Sequence, residues 1–143
     1  VTIDVNVSRA DADTLIILVR VLYMQSVEDD ANFLAVYLSE DGLIDYQYDI
    51  FEGDIEDYEH DHVFRKSLTS PSGDSLVVKG NTSPYIEGRV FQRRFLVPVK
   101  KDVEGEEYRV GWNFENLNVV ACVAKKNTDD LEVIHVIEKH LSE

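Results

Sequence analysis

The sequence has very little cysteine and no long apolar run, and both absences narrow what the chain can be. Cys122 is the single cysteine, so an internal disulfide is impossible. It lies in the apolar segment NVVACVA without an activating base beside it, so we expect a small buried hydrophobe rather than a catalytic thiol. The longest apolar run, residues 15–24, is interrupted by Arg20 and falls well short of the roughly 20 residues that a membrane-spanning helix needs.

Basic residues are also scarce. The chain carries 28 aspartates and glutamates against 14 lysines and arginines, which gives a formal net charge of −14. A surface this negative repels phosphate backbones and anionic lipid headgroups, so we predict no nucleic-acid partner and no direct binding to an anionic membrane. Cations, basic peptides and neutral ligands remain open as partners.

The usual catalytic signatures are missing. The sequence contains no G-x-S-x-G, no H-E-x-x-H, no C-x-x-C and no phosphate-binding loop. Pairs of carboxylates occur throughout because acidic residues are abundant, so they single out no acid–base pair. We therefore predict a protein that is not an enzyme, with no catalytic residues and no cofactor.

Short extended segments separated by turns every 8–12 residues dominate the pattern. Ile3, Val5 and Val7 alternate with polar residues, and the apolar residues 15–24 are typical of a central strand, in which Arg20 must reach an edge or a carboxylate. We predict an all-β, mostly antiparallel, immunoglobulin-like β-sandwich with one short helix, formed by residues 1–143 as a single domain. The predicted strands are residues 3–7, 15–24, 33–38, 43–51, 76–79, 86–99, 117–124 and 131–137.

Three local predictions concern the middle of the chain. Residues 33–38 and 43–51 are expected to pair as a hairpin around the SEDG turn. The acidic residues 52–61 read as a loop, and Asp61 is a suitable N-cap for a short helix that continues to Leu68. Pro98 is expected at a strand end or a sheet edge, because proline cannot donate to a ladder of hydrogen bonds.

The segment YEHDHVFRKSL, residues 58–68, contains the candidate binding residues Tyr58, His60, His62 and Arg65. On a strand, His60 and His62 would share a face and could hold zinc, with Asp54, Asp57 and Glu59 nearby. No third ligand is fixed by the spacing, so the sequence assigns no metal site. The alternative is structural: an imidazole that hydrogen-bonds backbone carbonyls, and an Arg65 that pairs with Asp61.

Two further ligand sites are conceivable. The acidic residues 52–61 could bind calcium, although they lack the D-x-[DN]-x-[DN]-G spacing, and a solvated loop is the alternative. Tyr37, Tyr46 and Tyr48 could form an aromatic patch for a glycan or a peptide if they are exposed, whereas packing within a sheet is the commoner role of such residues.

Three stretches together resemble a known family. They are residues 37–47 (YLSEDGLIDYQ), residues 58–68 with the later Gly73, and residues 116–138 (NLNVVACVAKKNTDDLEVIHVIE). They are similar to the outer-membrane protein 28-related lipoproteins of Bacteroides- and Porphyromonas-type bacteria. The matching positions are Glu40, Asp41, Gly42 and Gln47, then His60, His62, Val63 and Arg65.

The resemblance implies a lipid-anchored protein of the outer membrane, periplasmic or surface-exposed. The chain begins without methionine, directly in a strand pattern, and the resemblance implies that it is the soluble C-terminal β-domain of a longer envelope lipoprotein, behind a thioredoxin-like domain. The role that the family suggests is adhesion or receptor-like binding of a host or envelope protein, a peptide or a glycan.

Three functional hypotheses follow. The first is a noncatalytic binding or adhesion domain of a cell-surface lipoprotein. The second is a zinc- or calcium-dependent hydrolytic or metal-binding domain centred on His60 and His62. The third is a structural spacer that holds an upstream domain away from the membrane.

Overall fold

The computed structural model describes residues 1–27, 31–76, 85–102, 111–126 and 130–142. Within them the chain forms ten strands and one short 3₁₀ helix. The strands are β1 (Thr2–Arg9), β2 (Thr14–Leu22), β3 (Asn32–Glu40), β4 (Leu43–Asp49), β5 (Gly53–His60), β6 (Val63–Ser67), β7 (Asp74–Leu76), β8 (Val90–Pro98), β9 (Leu117–Lys126) and β10 (Leu131–His140). The 3₁₀ helix spans Phe114–Asn116, directly before β9.

The described strands form three antiparallel sheets. The first has the order β1-β2-β8, and the second has the order β10-β9-β3-β6, with β7 also paired to β3. The third is the two-stranded hairpin β4-β5. The predicted all-β, mostly antiparallel sandwich is therefore confirmed.

The two larger sheets share one apolar core, which explains why they pack face to face. Strand β2 contributes Leu15, Ile17, Val19 and Val21, which alternate along the strand and therefore lie on one face. Alternating residues of β3 and β9 meet them from the second sheet, and all belong to the same cluster of buried side chains: Leu34, Val36, Leu38, Leu117, Val119, Ala121 and Val123.

The prediction that residues 15–24 form a central strand is confirmed, since β2 lies between β1 and β8. The exposed Arg20 has Asp4 opposite it on β1 and Gln92 opposite it on β8. Its guanidinium accordingly lies 4.0 Å from the Asp4 carboxylate and donates to Gln92 at 3.1 Å. Pro98 is the last residue of β8, as expected for a residue without a backbone donor.

The predicted hairpin between residues 33–38 and 43–51 is wrong. Strand β4 pairs with β5, and β3 pairs instead with β6, β7 and β9. The acidic residues 52–61, predicted as a loop, largely form strand β5. The strand could not be predicted from the sequence because both faces of this hairpin meet solvent. A strand without a buried face needs no alternation of apolar and polar residues.

The predicted helix from Asp61 to Leu68 is also wrong, because residues 63–67 form strand β6 against the end of β3. The Asp61 carboxylate does not cap a helix; it accepts a hydrogen bond from the amide of Gly42 in a different turn. β-branched and aromatic residues at the start of the segment fit a strand. Of the predicted strand at residues 76–79, only Leu76 lies within the described residues, and it ends β7.

Candidate functional site

The two turns at the base of the β4-β5 hairpin are tied to each other by reciprocal hydrogen bonds. Asp41, in the turn between β3 and β4, accepts from the amide of His62 at 2.7 Å. Asp61, in the link between β5 and β6, accepts from the amide of Gly42 at 2.9 Å. Each carboxylate therefore satisfies a backbone donor of the opposite turn. The two turns are thus held together where the hairpin begins and ends.

The backbone of both turns is left-handed at one position. Gly42 has φ +69°, which glycine adopts without penalty, and His62 has φ +55°. His62 is the one non-glycine residue with positive φ in the described part of the chain. Such a conformation costs free energy in a residue with a Cβ, although histidine tolerates it better than most. The hydrogen bond to Asp41 helps to hold it there.

The register of the second sheet places two rows of cross-strand partners from β3, β9 and β10 near the turn that contains Asp41. On its outer face Tyr37 lies opposite Val120, which lies opposite Glu138. One row further, Ser39 lies opposite Asn118, which lies opposite His140. Strands β3, β9 and β10 thus present a serine, an asparagine, a glutamate and a histidine beside the Asp41 turn, because cross-strand partners project from the same face.

Asp41, His62 and Glu138 converge on this face. The Nδ1 atom of His62 lies 3.9 Å from Asp41 Oδ1, and its Nε2 atom lies 3.6 Å from Glu138 Oε2. One ligand atom from each of the three residues lies within 4.8 Å of the other two. We call this set the Asp41 cluster.

The electrostatics of the cluster keep Asp41 ionised. The amide of His62 is the largest cause that holds the pKa of the Asp41 carboxyl below its ordinary value of 3.8, and it outweighs the opposing effect of burial. The side-chain amide of Asn118 donates to Asp41 Oδ2 at 2.8 Å and lowers the pKa further. Both carboxylate oxygens are thus oriented by fixed donors.

A groove of about 320 Å³ lies beside the cluster and is lined by His62 and Glu138 together with residues of the sheet. Ser39 lines it too, and only 2% of this residue is exposed. Among the described buried side chains, the Ser39 hydroxyl is the one polar atom with no hydrogen-bond partner. A buried hydroxyl without a partner costs free energy, so the groove is lined by one unsatisfied hydrogen-bonding group.

Arg65 has a structural position rather than a place in this groove. Its Nε atom donates to Glu40 Oε2 at 2.8 Å, and Glu40 is buried. The other oxygen of Glu40 accepts from the amide of Asn113, so the carboxylate also fixes the segment that enters the 3₁₀ helix. The predicted pairing of Arg65 with Asp61 is therefore replaced by a buried ion pair between β6 and β3.

Tyr58 and His60 form a separate pair on β5. Their rings meet edge to face with centroids 4.8 Å apart. His60 is opposite Leu43 in the hairpin and does not belong to the Asp41 cluster, whereas His62 lies in the link after the strand. Of the candidate residues, the structure thus brings together Tyr58 with His60, and places His62 and Arg65 in different contacts. Their roles in binding stay predictions.

Sequence reasoning missed Asp41, Glu138 and Ser39 as companions of His62. Glu138 is 76 positions further along the chain, and only the register of β9 against β10 and β3 brings it near. The sequence did hold one indication, since Asp41 and His62 both occur among the positions that carried the family resemblance.

The β4-β5 hairpin has an unusual surface. Six of its large apolar side chains are more than 40% exposed, and among them Phe51 at the tip is 94% exposed. Residues 43–60 also hold seven acidic residues and no lysine or arginine. Among the described strands, β4 and β5 pair only with each other, so each has an open edge. The exposed apolar residues are Ile44, Tyr46, Tyr48, Ile50, Phe51 and Tyr58.

The alternation of side chains divides this surface between two faces. Ile44, Tyr46 and Tyr48 share one face of β4, and the hydroxyl of Tyr46 donates to Asp54 at 2.5 Å across the hairpin. Tyr58 and His60 lie on the other face. Tyr37 is absent from this patch because it lies on β3, near Phe64, so the predicted group of three tyrosines is reduced to two.

Two remaining sequence predictions concern Cys122 and membrane helices. Cys122 is half-buried rather than buried, on β9 between Ala35 and Val136, and burial raises the pKa of its thiol. The protonated thiol is a poor nucleophile, which fits the predicted structural role. No helix in the described ranges has the length and apolarity needed to cross a bilayer.

Comparison with models of protein families assigns the chain to a family. The family model described as Outer membrane protein Omp28 matches residues 1–143. The protein is thus an outer membrane protein. It belongs to the Omp28 family, which confirms the resemblance of its three stretches and the predicted location in the outer membrane.

Two solved structures share the fold. A domain of the outer membrane lipoprotein Omp28 from Porphyromonas gingivalis is 16% identical, with a TM-score of 0.57, and the match covers 98% of this chain and 86% of that one. HBP35 of Porphyromonas gingivalis is 15% identical, with a TM-score of 0.62, and the match covers 99% of this chain but only 41% of that one. No curated protein matches the sequence.

Proposed function

We propose that this chain is a noncatalytic binding domain of an outer membrane protein and that the β4-β5 hairpin is its contact surface. One observation supports this most strongly: six large apolar side chains are exposed on a hairpin that, among the described strands, pairs with neither larger sheet. An isolated hairpin gains little stability from leaving such residues in water. Exposed apolar side chains gathered on one small element are typical of interaction sites.

The charge of the hairpin selects the chemistry of the partner. Seven carboxylates and no lysine or arginine on residues 43–60 favour a protein segment rich in lysine or arginine. Tyr46, Tyr48 and Tyr58 add aromatic faces on which such cations bind. A second copy of this chain is disfavoured as the partner, because two such hairpins repel each other.

The open edges of β4 and β5 suggest how the partner binds. An extended segment can add to either edge as a further strand, and its main-chain hydrogen bonds then supply affinity while its side chains supply specificity. The proposed partner is thus an extended, basic segment of a host or envelope protein. Adhesion is the biological role that this binding would serve.

The proposal extends to the protein as a whole. We infer that it is anchored by lipid outside this β-domain, because the structurally similar Omp28 domain of Porphyromonas gingivalis belongs to an outer membrane lipoprotein. The match covers 41% of the length of HBP35, which supports a further domain in the whole protein. In this arrangement the domain reaches its partner from the membrane surface.

The alternatives make different predictions for one binding experiment. A peptide of alternating lysine and valine serves as the probe, a glutamate–valine peptide as its charge control, and a panel of neutral glycans as the competing ligand class. Of these probes, we expect the 143-residue chain to bind only the lysine–valine peptide, and to bind it more weakly at high salt. Binding of a neutral glycan instead would contradict the proposed partner, and no binding of any probe would favour a spacer.

Variants locate the surface. Tyr46→Ala combined with Tyr48→Ala should weaken binding of the lysine peptide by about tenfold or more, as expected for central aromatic contacts. Leu96→Ala is the control, because Leu96 is similarly exposed but lies on β8 in the β1-β2-β8 sheet. Equal effects of both changes would show that the contact does not lie on the hairpin.

A further inference from the structure

We propose that Asp41, His62 and Glu138 bind a divalent transition-metal ion of the zinc class. These residues come from three separate places: the β3–β4 turn, the β5–β6 link and strand β10. Their ligand atoms already face one another within 4.8 Å. The inference rests on this cluster and on Ser39, and it does not depend on the hairpin binding a peptide.

The distances between the ligand atoms of the three residues suit such an ion if the side chains move slightly closer together. Bonds of about 2.1 Å to nitrogen and oxygen in a tetrahedral site place neighbouring ligand atoms about 3.4 Å apart. His62 Nε2 and Glu138 Oε2 are 3.6 Å apart, already close to that edge. Three protein ligands leave the fourth position of a tetrahedral ion for a water molecule.

The ligands remain available despite their present contacts. Each oxygen of Asp41 accepts one described hydrogen bond, from the His62 amide or from Asn118, and a carboxylate oxygen has two lone pairs. Asn118 thereby orients the carboxylate from behind, as the supporting residues of metal sites do.

Ser39 is the independent observation that points to an occupant. Its hydroxyl is buried, lies on the groove shared with His62 and Glu138, and has no described partner. Alternation along β3 places Ser39 on the same face as Tyr37, which also lines the groove. A water molecule held by the ion would supply the hydrogen bond that this hydroxyl lacks.

The mixture of ligands selects the class of ion. An imidazole nitrogen with two carboxylate oxygens suits zinc and its neighbours, whereas calcium takes oxygen ligands only and six or more of them. The bound ion would join both turns at the hairpin base to strand β10. It would therefore fix the direction in which the hairpin leaves the sandwich.

Calorimetric titration of the 143-residue chain with Zn²⁺ tests the site, with Ca²⁺ titrated in parallel. We expect one saturable zinc site per chain and no comparable calcium site. Glu138→Gln and His62→Ala should each weaken zinc binding by at least about tenfold, and Asn118→Ala by about tenfold through Asp41. Co²⁺ substituted for zinc should give the intense visible absorption of a four-coordinate ion, and Glu138→Gln should remove it.

His60→Ala is the matched control, because it removes a histidine only two positions from His62 that contacts Tyr58 instead. It should leave the zinc affinity unchanged. The proposal is overturned if the chain shows no saturable zinc binding, if Glu138→Gln binds zinc as tightly as the unmodified chain, or if His60→Ala weakens binding as much as His62→Ala. Glu138→Gln decides the matter if His62→Ala fails to fold, since glutamine keeps the shape of the Glu138 side chain on strand β10.

Discussion

Arg65 and Glu40 form an ion pair of 2.8 Å in which the carboxylate is 1% exposed. The pair joins β6 to β3, and Glu40 simultaneously accepts from the amide of Asn113. A carboxylate this deeply buried depends on its partners, because an uncompensated charge in the interior is costly. The pair therefore stabilises the end of the second sheet that carries the Asp41 cluster.

Removal of one partner should destabilise the domain strongly. Arg65→Met should lower the free energy of unfolding by about 3–5 kcal/mol, since it leaves the Glu40 charge buried without its cation. Urea denaturation followed by circular dichroism measures this. Lys125→Met is the control, because Lys125 pairs with Glu132 at the surface and should cost at most about 1 kcal/mol. Equal losses would show that the Arg65 pair contributes no more than a surface pair.

A side chain at Gly73 should destabilise the fold. The φ of Gly73 is +93°, and a Cβ built on it would meet the Leu34 backbone at 3.2 Å and the Phe33 Cβ at 3.1 Å. Gly73→Ala should therefore lower the free energy of unfolding by about 1–3 kcal/mol through strain at this backbone conformation, with the close contact adding to the loss. Gly53→Ala separates the two effects, because Gly53 also has positive φ but no atom within 4 Å of the added Cβ. A Gly53→Ala loss as large as that of Gly73→Ala would exclude a contribution from packing.

Ser39→Ala should be neutral or stabilising in protein freed of metal by a chelator. The substitution removes a buried hydroxyl that has no described partner, so the free energy of unfolding should stay constant or rise by about 1 kcal/mol. Thermal and urea denaturation in chelator measure this. A clear loss of stability would show that the hydroxyl already has a partner in solution.

The tip of the hairpin should respond to acid through Asp49. This carboxylate accepts from the amides of Glu52 and Phe51, which hold the pKa of Asp49 below its ordinary value of 3.8. Because the folded pKa is the lower one, the turn is fully supported above pH 3.8 and loses this support as the pH falls through the folded value. The amide resonances of Phe51 and Glu52 should therefore shift together at a pH below 3.8. Asp49→Asn should abolish that titration, and a midpoint above 3.8 would contradict the described turn.

The β-sandwich could be predicted from the sequence because burial of one face leaves an alternation of apolar and polar residues, as in β1, or an apolar run, as in β2. The prediction failed at β5, where both faces of the hairpin meet solvent and acidic residues imitate a loop. It failed at Asp61 because a cap and a carboxylate that bridges two turns use the same residue type.

The candidate site was predictable only in part, for a similar reason. His62 stands out among few histidines, but its companions depend on strand register. Asp41, in the β3–β4 turn, is near His62 because it accepts a hydrogen bond from the His62 amide, and Glu138 is near it through two successive antiparallel pairings. Neither distance is encoded in local spacing.

Mapping the bound peptide by NMR tests the central claim, that the hairpin is the contact surface, most directly. The 143-residue chain labelled with ¹⁵N is titrated with the lysine–valine peptide at low salt, and amide shift changes are assigned to residues. We predict changes concentrated in residues 43–60, which vanish at high salt and with the glutamate–valine peptide. Changes centred on the β1-β2-β8 sheet, or unaltered spectra, would contradict the account.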